Sequence, residues 1–439
     1  MNAYIFKFHL AVFIINCFLS GRNGHVLDET PVIDGHNDLP YNLYALLRNN
    51  LSGFNFSADL TSDPVWGSCS SCFTDIPRLR KGKVGAQFWV AYVGCSTQYK
   101  DALGKTLEQI DVIKRLVKAY PNDLLLATTA DDIVQAFNQS KIASLIGVEG
   151  GHSMDSRLGV LRLFYELGVR YMTLTHSCNT PWADNSYVDD AAPVLNLTEY
   201  GKTVVREMNR LGMMVDLSHV SHAVMNQAIM ASRAPVIFSH SSSYSICQHN
   251  RNVHDDTLQL LRNNNGIIMV NFYSGFVNNN ATAAELDDIV RHINYIVDQI
   301  GVEYVGIGAD YDGVDSMPRG LEDVSKYPVL FDRLQQLNST RWTNETLQLL
   351  AGRNFLRVFY EVERVRDNLA NEEPYQEWIS YEDLDAVDNV SVWNCRTLLN
   401  NTSPSLPSAQ ASIAKRSFNG VVIFTVIVMY MFLTYSILA

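Results

Sequence analysis

Eight short apolar runs, alternating with segments of helical periodicity, constrain this chain more than any other feature of its 439 residues. The runs cover residues 31–34, 87–93, 143–148, 169–175, 213–217, 236–239, 267–272 and 305–309. Between them, residues 106–120 place Leu107, Ile110, Ile113, Leu116 and Val117 on one helical face, and 200–211, 255–263 and 283–300 read similarly. Strands that alternate with helices predict a parallel sheet. Eight units favour a closed TIM-like (β/α)8 barrel over an open doubly wound sheet, which would advertise a glycine-rich phosphate turn after its first strand. Here that run leads instead into Ile33-Asp34-Gly35-His36-Asn37-Asp38. Residues 325–372 read as helical and are expected to pack outside the barrel, with the less regular 373–400 covering one face.

In a barrel enzyme the chemistry sits where strands end and loops begin. Histidines and carboxylates recur there. The first run leads into His36 and Asp38, the third into Glu149, the fourth into His176, the fifth into His219, the sixth into His240 and the eighth into Asp310 and Asp312. On an extended backbone, positions 36 and 38 point to the same side and can share a cation. Each of these residues alone has an ordinary reading, as a turn residue or a satisfied rim histidine. Together, His36, Asp38, Glu149, His219 and His240 predict a metal site at the barrel mouth. Five ligands exceed what one tetrahedral zinc takes in a catalytic site. A bridging Glu149 solves the count, with His36 and Asp38 on one ion and His219 and His240 on the other. The donor types suit Zn2+, with Mn2+ and Co2+ also compatible. Two such ions can share a water and lower its pKa toward neutrality.

Both ends of the chain read as addresses rather than fold. Residues 1–20 carry an apolar core and then Ser20 and Gly21, the pattern of a secretory signal peptide. Residues 421–439 form an apolar tail preceded by a polar, small-residue stretch, the pattern of a removed GPI-anchor signal. Residues 401–420 form the linker with the anchor site, for which Ser408, Ala409 and Ser412 are candidates, and 21–400 form the catalytic domain. A transmembrane helix is the competing reading of the tail. The expected location is the outer leaflet of the plasma membrane. Ten N-x-S/T sequons, at Asn50, Asn55, Asn138, Asn196, Asn280, Asn338, Asn344, Asn389, Asn400 and Asn401, agree with a secretory route. The net charge of −12 argues against nucleic acid as a partner. With the signal's Cys17 removed, the remaining cysteines meet an oxidising compartment, so Cys69-x-x-Cys72 is expected to be structural rather than zinc-binding or redox-active.

The segments PVIDGHNDLP, GAQFWVAYV, IGVEGGHSM, YMTLTHSCNTPWADN, MMVDLSHVS, PVIFSHSS, HNRNV, GIIMVNFY, IGADYDG and GLEDVSKYP, in this order over roughly residues 30 to 330, closely resemble the membrane dipeptidase (renal dipeptidase) family of GPI-anchored zinc peptidases. The resemblance implies a (β/α)8 barrel with two zinc ions that cleaves dipeptides. It assigns His36 and Asp38 to one zinc, His219 and His240 to the other, and Glu149 to both. It implies that His176 contacts the scissile group, that Arg251 receives the substrate's terminal carboxylate, and that Asp310 is the acid/base carboxylate. Asp312 looks the same locally, and only the resemblance selects Asp310. It further implies a disulfide between Cys95 and Cys178, and a homodimer linked through Cys395. Cys247 lacks its usual partner. Cys69 and Cys72 look like additions that pair with each other, or one of them with Cys247.

The leading expectation is therefore an extracellular zinc dipeptidase. Two alternatives stand beside it. One is another metal-dependent amidohydrolase acting on cyclic amides, although such barrels favour His-x-His on the first strand. The other is a non-catalytic GPI-anchored binding protein, which would need no metal.

Overall fold

The computed structural model describes residues 24–190, 196–380 and 383–384. Nine strands form one parallel sheet: β1 (Val32–Asn37), β2 (Val84–Tyr92), β3 (Leu124–Leu126), β4 (Ile142–Glu149), β5 (Val169–Thr173), β6 (Met214–Asp216), β7 (Ile237–Phe238), β8 (Ile267–Val270) and β9 (Val305–Ile307). Eight of them close a ring. β1 pairs with both β2 and β9, and β2 continues to β4 along Ala86–Tyr92 against Ala143–Glu149. From β4 the ring runs through β5, β6, β7 and β8 back to β9. β3 stands outside it. It pairs with residues 142–144 of β4, whereas β5 takes residues 146–148.

The long apolar runs reflect burial on both faces of a parallel sheet. Along β2, Ala86, Phe88 and Val90 belong to an inner cluster that also holds Ile33, Leu145, Tyr171, Ile237 and Met269. Trp89 and Ala91, on the opposite side of the same strand, pack into the cluster between barrel and helices. That outer layer comes from α1 (Leu39–Leu47), α2 (Ala102–Ala119), α3 (Ala130–Asn138), α4 (Leu158–Glu166), α5 (Glu199–Leu211), α6 (His222–Ala231), α7 (Asp255–Asn263), α8 (Leu286–Ile300), α9 (Tyr327–Leu337) and α10 (Asn354–Asn368). α8 buries Ile289, Ile293, Ile296 and Ile300 on one stripe.

Two expectations need correction. The sequence reading omitted β3, and it placed the whole C-terminal helical region outside the barrel. Instead, Phe355, Phe359 and Val362 of α10 join the inner cluster, and the Phe355 ring meets inward-facing Phe88 edge-on at 5.5 Å. The π-turn Leu349–Arg353 leads into α10, and its Gly352 approaches Pro31 and Ile33 so closely that a Cβ would collide there. The barrel end where the strands begin is thus plugged, and the end where they finish stays open.

Cys69 bonds to Cys72 and Cys95 to Cys178, while Cys247 is a buried free thiol. Asn50, Asn55, Asn138, Asn280, Asn338 and Asn344 are exposed, and Asn196 is half-buried. No helix among the described residues is long and apolar enough to cross a membrane. The expected signal peptide, linker, C-terminal signal, Cys395 and the last three sequons lie outside the described residues.

Candidate active site

The strand ends converge on one cavity of about 490 Å3, walled by Asp38, Glu149, His176, His219, Arg251 and Asp310 together with Tyr41, Tyr92, Tyr273 and Phe276. His36 and His240 lie beneath its floor, 0% and 1% exposed. Glu149, the last residue of β4, is the hub. Its Oε1 lies 2.9 Å from His219 Nε2, 3.3 Å from His240 Nε2 and 3.5 Å from His36 Nε2, while its Oε2 faces His176 Nε2 at 3.9 Å. His36 Nε2 meets Asp38 Oδ2 at 3.0 Å and Asp310 Oδ1 at 3.9 Å. The pair converges as expected of an extended backbone, although Asp38 itself already turns into the N-cap of α1.

Hydrogen bonds behind the cluster fix how these rings present themselves. His240 Nδ1 lies 2.7 Å from Ser239 Oγ, and that hydroxyl donates to Asp216 Oδ2 at 2.5 Å. Its proton is committed, so His240 Nδ1–H donates to it and His240 Nε2 carries a lone pair. His36 repeats the arrangement. Its Nδ1 lies 3.1 Å from Tyr171 Oη, which itself donates to the Gly35 carbonyl at 3.0 Å. With both rings neutral, their Nε2 lone pairs face carboxylate oxygens. Asp38 Oδ1 is buried without a hydrogen-bond partner. Acceptors aimed at acceptors repel in a dry site, and a divalent cation among them converts the repulsion into coordination. The donor set fits a pair of metal ions bridged by Glu149.

The charge balance agrees. Burial pushes the Glu149 carboxyl well above the usual carboxylate range, with His36 opposing and Asp38 and Asp310 adding. Burial alone would depress the His36 imidazole, but Glu149, Asp38 and Asp310 outweigh it and push it up to about 10. These carboxylates draw a positive charge into their midst. Burial and neighbouring cations hold His176, His219 and His240 well below the usual imidazole range, so they are neutral and able to donate lone pairs.

Backbone strain marks the same loops. His219 and Asp310 adopt left-handed φ values of 71° and 68°, uncommon for residues with a Cβ. Gly313 leaves no room for a side chain, because a Cβ there would collide with Asp38 Oδ2 and Asp310 Oδ1.

Asp310 and Asp312, indistinguishable by local sequence, separate here. Asp312 accepts from Thr74 Oγ1 at 2.6 Å, from the Phe73 amide at 3.0 Å and from Asn42 Nδ2 at 3.1 Å, which makes it a loop anchor. Asp310 takes one such bond, from Asn271 Nδ2 to Oδ2 at 2.9 Å, and leaves Oδ1 toward His36. Burial raises Asp310 to about 6.

Arg251 faces the cluster from the loop after β7. It is 1% exposed, its guanidinium carbon sits 5.3 Å from the Phe276 ring centre, and Nε, Nη1 and Nη2 are buried with no hydrogen-bond partner. A buried cation with three idle donors is costly unless something charged arrives.

Residues 21–373 match the membrane dipeptidase family, Peptidase family M19. The chain belongs to this metallopeptidase family. Dipeptidase 3 of Mus musculus is 45% identical over 358 residues, covering 80% of this chain and 68% of its own. An uncharacterised dipeptidase of Schizosaccharomyces pombe is also 45% identical over 358 residues, covering 78% and 83%. Among solved structures, a metallopeptidase of Rhodobacter sphaeroides bound to a phosphinate mimic of the dipeptide L-Ala-D-Ala aligns with 76% of this chain and 99% of its own, at a TM-score of 0.68 and 22% identity. At that identity the likeness speaks for the fold.

All eight residues singled out in this sequence meet at one mouth. Sequence reading missed the layer that orients them: Tyr171, Ser239, Asp216 and Asn271. Ser239 immediately precedes His240 and Asp216 lies three residues before His219, so position relative to a strand-end histidine was the available signal.

Proposed function

We propose that this chain is a zinc-dependent dipeptidase of the outer cell surface. In this reading His36 and Asp38 would hold one zinc and His219 and His240 the other, with Glu149 a ligand available to both. Bound there, zinc supplies Lewis acidity, which acidifies a water and polarises the scissile carbonyl.

The observation that carries the reading is Arg251, whose donors are idle and buried in the cavity that Glu149 floors. A dipeptide's terminal carboxylate matches the guanidinium fork. Anchoring that end aligns the single peptide bond with the acidic cluster. A longer peptide extends beyond its first bond and has no carboxylate at that distance. Asp310 Oδ1 takes the proton released by the attacking water and delivers it to the leaving amine, a role that suits a carboxyl raised toward neutrality. His176, neutral and beside Glu149, donates a hydrogen bond to the oxygen of the scissile group.

The purified protein should hydrolyse dipeptides, lose the activity to a chelator and regain it with Zn2+. Full activity after verified metal removal overturns the reading. The tail at 421–439 supports GPI anchoring, and release from intact cells by a phosphatidylinositol-specific phospholipase tests it. A homodimer through Cys395 should run at twice the monomer mass on non-reducing gels and collapse in Cys395→Ser.

A further inference from the structure

Hydrogen bonds do not hold the guanidinium of Arg251. Its three nitrogens have no partner among the described residues, in a side chain 1% exposed. What lies against it is the ring of Phe276, with the guanidinium carbon 5.3 Å from the ring centre. Phe276 sits on the helical turn Ser274–Val277 that follows β8, and both residues line the catalytic cavity. An aromatic face attracts a cation through its quadrupole, most strongly where water is excluded. A carbonyl or carboxylate would occupy N–H donors in doing the same. The ring leaves them free.

Phe276 is itself fixed. His249 packs on it at 4.4 Å between ring centres, and Tyr273 meets it edge-on at 4.7 Å and 83°. His249 Nδ1 also accepts the Arg251 amide at 3.1 Å, so one imidazole touches both partners. Asn252 ties the two segments together, donating from Nδ2 to the Phe276 carbonyl at 2.7 Å and to the Cys247 carbonyl at 2.9 Å. The loop after β7 and the turn after β8 therefore form one unit around the Arg251 side chain.

We propose that Phe276 is the positioning residue for Arg251, holding the guanidinium in place while its fork stays open for the terminal carboxylate of a dipeptide. The substrate named here rests on the dipeptidase reading; the pairing of ring and cation does not. Packing alone would be met by any apolar side chain of this size. Leucine fills much of the same wall but has no quadrupole, so it leaves the charge buried with nothing attractive beside it.

The test is a double-mutant cycle between Phe276→Leu and Arg251→Met, with Phe276→Tyr as the variant that keeps the aromatic face. Urea unfolding of the purified full-length proteins reads the pairing without substrate. Phe276→Leu should lower the midpoint more in the wild-type background than in Arg251→Met, where no cation remains to be lost. Equal shifts in the two backgrounds overturn the proposal. Steady-state kinetics on a dipeptide reads the positioning. Phe276→Leu should raise KM by about 5–30-fold, the range of a desolvated cation–aromatic contact, with kcat changed far less. Phe276→Tyr should recover most of that loss, and in Arg251→Met the change to leucine should add little. A KM unmoved by Phe276→Leu, or raised equally in both backgrounds, overturns the proposal. A wild type inactive on dipeptides overturns the dipeptidase reading instead, and the unfolding cycle still decides the pairing.

Discussion

The Tyr171 hydroxyl, 3.1 Å from His36 Nδ1, donates its own proton to Gly35 and so can only accept from the imidazole. One phenol thereby sets which nitrogen of His36 faces the carboxylates. Tyr171→Phe should leave the barrel folded and weaken metal binding by about 10–100-fold, the usual effect of losing such a partner. Competition with a chromophoric chelator measures it. Unchanged affinity would show that His36 orientation is set by packing alone.

Arg251 should separate binding from stability. Arg251→Met removes an unpaired buried charge, so the unliganded protein should gain stability, on the order of 1–3 kcal/mol. The same variant should lose about 100-fold or more in kcat/KM for dipeptides. Arg251→Lys retains the charge without the fork and should recover only part of the loss. Denaturant melts and steady-state kinetics on the same preparations provide both readouts.

Asp310 and Asp312 should respond oppositely. Asp310→Asn should reduce turnover by about 100-fold or more with little change in melting. In Asp312→Asn an amide NH2 faces the Asn42 NH2, two donors without an acceptor, for a cost of roughly 1–3 kcal/mol. Thermal unfolding and kcat together separate the two.

His292 should contribute an acid-labile term to stability. It is fully buried, accepts from the Ser243 amide at 3.1 Å and lies 3.1 Å from the Val277 carbonyl. Burial lowers it from 6.5 to about 4. Between those values the unfolded chain binds more protons, so stability is full above pH 6.5 and falls as pH drops toward 4, by roughly 3 kcal/mol. In His292→Gln that dependence disappears. The stability gap between wild type and variant, measured in urea, should therefore shrink across this window.

Legibility from sequence followed physical cause. Strands buried on both faces write themselves as apolar runs, so eight ring strands could be read. The triplet Leu124–Leu126 could not, since a half-buried three-residue edge strand has no periodicity to detect. α10 advertised an apolar face, but nothing local says that Phe355 meets the barrel interior rather than its outside. The metal-type donors stood out because polar residues after apolar strands are conspicuous. Tyr171 did not, because a hydroxyl inside a strand has no diagnostic spacing, and Ser239 offered only its place beside His240. Arg251 depended on resemblance, and its idle buried donors give the physical reason for its role. Cys247 could be seen to lack a partner, but whether Cys69 or Cys72 would take it was open until their mutual disulfide appeared.

Gly313 contributes no functional atom, yet its missing side chain is what lets Asp38 and Asp310 share a wall. In a saturation mutagenesis screen it should score as intolerant as the histidines, with alanine already inactive. Substitution data alone would thus count one residue too many in the chemical machinery. Natural variation at this codon should be absent from working copies and common in those that have drifted to other tasks.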